Sequence, residues 1–207
     1  MPVHHSALVV EGGGFLSDGE GTLITAETCV LNPNRNPGMS KAHAESELCA
    51  MLGVEKVVWL PGDFTDTGTD GHVDYVRPAS VLCEVVADPA DERFRIMAEN
   101  RRALELSTDA KGRRFELAPI VEAPRSAVPE GEEGYCRSYV NFYLANGAVI
   151  APAYGIAEDA AALAMLARAY PDRQIVPVPL KDLFRGGGGI HCITQQEPAA
   201  RAAPIRR

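Results

Sequence analysis

Ser138-Tyr139-Val140-Asn141-Phe142-Tyr143, the turn Ala145-Asn146-Gly147 and the return Gly147-Ala148-Val149-Ile150-Ala151 hold the pattern that decides the fold. A strand with polar positions reaches a turn, and an apolar strand comes back. Asn-Gly between two such runs is a strong hairpin signal, because a tight two-residue turn needs positive φ at its centre. Outward from the hairpin, Glu158 to Tyr170 is rich in Ala and Leu and is stopped by Pro171, which reads as a helix. The apolar run Gln174-Ile175-Val176-Pro177-Val178 follows as a third strand. The unit is strand, strand, helix, strand.

The same unit recurs upstream. Gly12-Gly13-Gly14-Phe15 leads through Asp18-Gly19-Glu20-Gly21 to Gly21-Thr22-Leu23-Ile24-Thr25. A helix then runs from Ala42 to Leu52, with Ser40 as its N-cap and Gly53 as its stop. Lys56-Val57-Val58-Trp59-Leu60 completes the unit. Next, Asp70-Gly71-His72-Val73-Asp74-Tyr75-Val76 turns at Arg77-Pro78-Ala79 into Ser80-Val81-Leu82-Cys83-Glu84. Asp88-Pro89 opens a helix through Leu106, and Arg114-Phe115-Glu116-Leu117 is the strand after it. Gly188-Gly189-Ile190-His191-Cys192-Ile193-Thr194 reads as the first strand of a further unit. A spacing of roughly 50–70 residues is that of propellers and arrays. The plainer alternative is a general α/β domain with coincidental hairpins. In a true repeat, equivalent positions converge on one axis, which predicts that Gly13, His72, Asn141 and Cys192 approach one another.

Bulk composition narrows the function classes. With 46% hydrophobic residues in 207, the chain has material for a real core. A net charge of -8 disfavours a phosphate-backbone partner and suits a small cationic one. No apolar run reaches membrane-spanning length. Five widely spaced cysteines, with no CxxC, argue against a disulfide framework and a structural zinc site. Met1 to His5 has neither the charged nor the apolar region of a secretory leader. A cytoplasmic protein of one domain, residues 1–207, is expected.

Two segments draw chemical interest. In Thr69-Asp70-Gly71-His72-Val73-Asp74, strand alternation puts Asp70, His72 and Asp74 on one face. Three readings are open: a surface turn, a metal site, or an acid–base pair in which the carboxylates hold a positive group and His72 moves protons. A metal site lacks a second ligand cluster of matching spacing. In Phe184 to Gln196, four glycines precede Ile190-His191-Cys192. They suit close approach of a backbone or a ligand. They match neither a P-loop nor a dinucleotide fingerprint. Cys192 reads equally as a buried small apolar residue or as a nucleophile. Its neighbour His191 would face the opposite side of a strand, so a base for Cys192 is better sought at His72.

Taken together, Glu11-Gly12-Gly13, Leu31 to Pro37, Thr69 to Asp74, Asp109-Ala110-Lys111-Gly112-Arg113, Ser138 to Tyr143 and Gly188 to Gln196 resemble the agmatine deiminase family, relatives of bacterial-type peptidyl-arginine deiminases. The resemblance implies a pentein β/α-propeller of five-fold pseudosymmetry, an α/β fold. Here about three to four repeat units are expected, the C-terminal portion of the family domain. It implies Cys192 as nucleophile, His72 as general acid/base and Asp74 as a carboxylate gripping the guanidinium, with no metal and no organic cofactor. Asp70, Gly188, Gly189, Glu11 and Asn141 become expected substrate contacts. The implied reaction converts agmatine to N-carbamoylputrescine and ammonia through a covalent thiouronium. Homodimers are a family-level expectation. Members also carry an earlier Arg-Asp-Thr-Gly-Pro-like motif with a second guanidinium-binding carboxylate, and nothing in this chain matches it. The alternatives are a shortened, catalytically impaired relative or an enzyme for another guanidino compound such as peptidyl-arginine.

Overall fold

The structure, a computed structural model, describes residues 5–62, 73–132 and 134–194. Three sheets of three strands follow one another along the chain. In the first, β1 (Phe15–Ser17) pairs antiparallel with β2 (Thr22–Ala26), which pairs parallel with β3 (Lys56–Leu60). Two helices, α1 (Glu27–Leu31) and α2 (Lys41–Leu52), lie in the crossover. The second repeats the plan with β4 (Val73–Arg77), β5 (Ser80–Val85), α3 (Phe94–Leu106) and β6 (Glu116–Val121). The third has β7 (Tyr143–Ala145), β8 (Ala148–Ala153), α4 (Asp159–Ala169) and β9 (Gln174–Pro179). The short α5 (Lys181–Phe184) leads to the glycine run. The repeat expected from the turns is therefore the architecture.

Strand alternation explains how the units join. On β5, Leu82 packs into a core with Ile120, Tyr139, Phe142 and Leu166. Its neighbours Val81 and Cys83 point the other way, into a core with Ile24, Val58 and Leu104. A strand buried on both faces reads as a continuous apolar run, as Val81-Leu82-Cys83 does. Each of these side chains contributes about 1.5–3 kcal/mol by leaving water. Polar ties reinforce the seams. Tyr170 donates its hydroxyl to the Tyr75 carbonyl at 3.0 Å, and the Ala110 N–H donates to Thr22 Oγ1 at 3.0 Å.

Local chemistry adjusts several boundaries. Ser40 caps α2 by accepting from the His43 N–H at 3.2 Å, and Gly53 ends the helix at φ 67°. The helix expected from Asp88 begins instead at Phe94. Asp88 Oδ1 accepts the Ala90 N–H and Asp91 Oδ1 the Arg93 N–H, both at 2.9 Å. These Asx turns compete with the helical ladder. Residues Ser138 to Phe142 are irregular, and the strand starts only at Tyr143.

The turn between β4 and β5 places Ala79 at φ 59°, a left-handed conformation that costs an L-residue about 1–2 kcal/mol. Glycine there forfeits about 0.4–1 kcal/mol through unfolded-chain entropy. Ala79→Gly should therefore stabilise the fold by about 0.5 kcal/mol, read as a higher urea midpoint at unchanged slope.

Candidate functional site

The first strands of the first two units approach one another, as do two short turns from opposite ends of the chain. β1 approaches β4, and the single-turn 3-10 helix Gly12–Gly14 approaches the one at His191–Ile193. Gly13 permits this meeting, because a Cβ there would lie 3.3 Å from His191 Nδ1. A cleft of about 410 Å³, including its solvent-open part, lies between these elements. Asp74, Ser138, Asn141, His191 and Cys192 supply its polar lining. Leu16, Val73 and Val140 supply apolar walls. Gly13, Asn141 and Cys192 thus come together as the repeat predicted. His72 and Asp70 lie outside the described residues.

Cys192 is not on a strand. Residues His191–Ile193 form a single 3-10 turn. The Thr194 hydroxyl closes it by donating to the Ile190 carbonyl at 2.9 Å. Four glycines offer no side chains to hold a strand in a sheet, and the Asn141 side chain takes the His191 N–H at 2.8 Å. The turn brings His191 and Cys192 to the same cleft. The strand-based expectation that they face apart is thereby corrected. Burial pushes the His191 imidazole pKa down, so its neutral form is favoured near pH 7. Gly13 opposite His191 is the one trace of this arrangement in the sequence, and it needs the partner's position to be read.

Asp74 sits on β4 and is buried. Removal from water pushes its carboxyl up to about 7, opposed by a 2.7 Å hydrogen bond that its Oδ1 accepts from the Tyr75 N–H. Among the described residues lining the cleft it is the one carboxylate. A buried carboxyl of this kind favours a cationic occupant, which would restore its charged form.

The segment leading to Asn141 is fixed by buried ion pairs. Arg137 contacts Asp91 at 2.7 and 3.0 Å and Glu122 at 2.8 Å, and Arg93 contacts Glu122 at 2.8 Å. Glu84 accepts the Tyr139 N–H at 3.0 Å. These bonds tie residues 137–139 to the second unit and so set where Asn141 begins.

The remaining expected contacts lie differently. Glu11 pairs with Arg35 on the outside and does not line the cleft. Its carboxylate finds a guanidinium of the protein's own. Gly188 and Gly189 abut side chains instead of the cleft. A Cβ at Gly188 would lie 3.2 Å from Cys192 Sγ, and one at Gly189 would lie 2.7 Å from Asn141 Oδ1. No cluster of three or more His, Cys, Asp or Glu suited to a metal occurs among the described residues. No helix among them is long and apolar enough to cross a membrane.

Residues 1–198 match the family described as Porphyromonas-type peptidyl-arginine deiminase. The agmatine deiminase of Pseudomonas aeruginosa (strain LESB58) is 42% identical, across 94% of this chain and 58% of that protein. That of Pseudomonas fluorescens (strain Pf-5) is 42% identical, across 92% of this chain and 57% of that protein. The solved agmatine deiminase of Enterococcus faecalis superposes with a TM-score of 0.84 at 34% identity, covering 90% of this chain and 56% of that one. The chain spans a little over half the length of the relatives it matches. Its fold is the pentein fold of those structures, with three of the repeated sheets among the described residues.

Proposed function

The chain belongs to the family of Porphyromonas-type peptidyl-arginine deiminases, and on that premise we propose that it hydrolyses agmatine to N-carbamoylputrescine and ammonia with Cys192 as nucleophile. The observation that carries the reading is the shared cleft, in which the accessible Cys192 thiol and the buried Asp74 carboxyl both face one space. Two similar proteins bear the name agmatine deiminase.

The chemistry proceeds in two halves. Asp74 holds the planar guanidinium by charge-assisted hydrogen bonds. The Cys192 thiolate forms a C–S bond to the guanidinium carbon. One C–N bond then breaks, and its nitrogen leaves with a proton as ammonia. His72, two residues before Asp74 in sequence, supplies that proton. Water then adds to the thiouronium carbon, giving up a proton to the same imidazole. The C–S bond breaks as the added hydroxyl gives up its remaining proton to solvent, returning the thiolate and leaving the carbamoyl group on putrescine. No step calls for a metal or an organic cofactor. All five cysteines are free, as suits a cytoplasmic enzyme.

Ammonia release and N-carbamoylputrescine formation should both be measured with the purified chain. Agmatine is expected to turn over faster than free arginine or a peptidyl-arginine. The family's own description names peptidyl-arginine, so faster turnover of that substrate would transfer the site to the second reading. Ammonia from none of the three would overturn both.

A further inference from the structure

We propose that Asn141 is the positioning residue of the nucleophile, its two amide atoms dividing the work between the turn that carries Cys192 and the sulfur itself. The sequence resemblance placed Asn141 among substrate contacts. Its bonds point elsewhere. Asn141 Oδ1 accepts the His191 N–H at 2.8 Å, and the backbone carbonyl of Asn141 lies 3.4 Å from the same N–H. Asn141 Nδ2 donates toward Cys192 Sγ at 3.2 Å. The backbone N–H of His191 is a donor, so the acceptor end of the amide must face it. The two-hydrogen end is then the one nearer the sulfur, at 3.2 Å against 3.7 Å from Sγ to Oδ1.

The surroundings enforce this arrangement. Gly189 lies so close that a Cβ on it would meet Asn141 Oδ1 at 2.7 Å. Gly188 lies against Cys192, where a Cβ would come within 3.2 Å of Sγ. The glycine run therefore serves the fit of Asn141 against the thiol. Behind the amide lies a second sulfur, Cys136 Sγ, 3.8 Å from Asn141 Nδ2. Cys136 is buried. Only the sulfur on the cleft side of the amide can meet a substrate. The donor held against the sulfur fixes where Sγ sits in the cleft, while the grip on the His191 N–H fixes the turn that carries it.

The proposal rests on Cys192 being the reactive thiol but needs no particular substrate, so its test is run without one. Alkylation of Cys192 by iodoacetamide is followed from pH 6 to 9 by mass spectrometry of the peptide that carries it. Asn141→Asp keeps an acceptor for the His191 N–H and removes the donor to sulfur. It is expected to slow alkylation at pH 7 about tenfold or more. Asn141→Ala loses both bonds and should be slow as well. Gly189→Ala, which crowds the amide without altering its chemistry, should fall between the parent and N141A. With agmatine, N141D should lower kcat more than it raises KM. Alkylation of N141D within twofold of the parent at every pH would overturn the proposal. If the parent releases no ammonia from agmatine yet N141D still loses thiol reactivity, the positioning role stands and the substrate assignment alone fails.

Discussion

Cys192→Ser is expected to lower ammonia release from agmatine by at least about a thousandfold at pH 7 to 8, equivalent to about 4 kcal/mol in the barrier. Thermal unfolding should stay parent-like. A serine hydroxyl is far less acidic than a thiol, and without strong activation it does not attack a resonance-stabilised guanidinium. The substitution is nearly isosteric, and Cys192 is exposed, so little packing is lost. The substitution leaves Asp74, the proposed guanidinium contact, in place, so calorimetry should find agmatine bound by C192S at close to the parent KM. The other thiols form an internal comparison. Cys29, Cys83 and Cys136 are buried, and burial pushes Cys83 and Cys136 up to about 12. Cys136→Ser is therefore expected to cost about 1 kcal/mol of stability and to leave kcat within a few fold. Turnover by C192S within tenfold of the parent would remove Cys192 from the chemistry.

The parts of this molecule that were legible in the sequence are those decided locally. Turn residues and strand alternation are read within a few positions of one another. Lys56–Leu60 and the Ser40 cap come straight from residues 40–60 for that reason. The repeat followed from setting such short patterns side by side. What escaped was decided at long range. The 3-10 turn under Cys192 depends on Asn141, about fifty positions away, taking a backbone N–H. The late start of α3 depends on Asp88 and Asp91 capturing backbone N–H groups, with Asp91 also engaged by Arg137. Helix α1 is five residues long, too short for a helical period to show. The strand rule that sends His191 and Cys192 to opposite faces does not apply on a tight turn. The convergence of Asp74, Asn141 and Cys192 was foreseeable only through the repeat, because nothing in their separate surroundings points from one to another.

Asp74→Asn should weaken agmatine binding and at the same time stabilise the fold, and the two effects share one cause. In the folded chain burial raises the Asp74 carboxyl to about 7, against about 3.9 when unfolded. Between these values the folded state holds a proton that the unfolded state has released. By linkage, the stability Asp74 contributes is full below pH about 4 and is lost as pH rises through about 7. Above that, the empty site carries a buried, ionised carboxylate. The interval between the two values is worth about 4 kcal/mol at the upper limit, and solvent entering the cleft reduces it. D74N should therefore be about 2–4 kcal/mol more stable than the parent at pH 8 and equal to it near pH 4, measured by urea unfolding across that range. Agmatine reverses the balance. A guanidinium beside the carboxylate restores the ionised form, so parent binding should tighten from pH 5 to 8 and release up to one proton near pH 6. That proton is detectable by calorimetry in buffers of different ionisation enthalpy. D74N can neither release it nor offer the charge, and its affinity should fall about 100-fold at pH 8, in keeping with about 1.5–3 kcal/mol for a charge-assisted contact. A stability difference independent of pH would show that Asp74 is already charged in the empty cleft. Unchanged affinity would remove it from the guanidinium. The two outcomes are separable because one is measured on the empty protein and the other with its ligand. Together they state why an acidic side chain would be kept where it weakens the resting fold: its cost is recovered only when a cation fills the cleft.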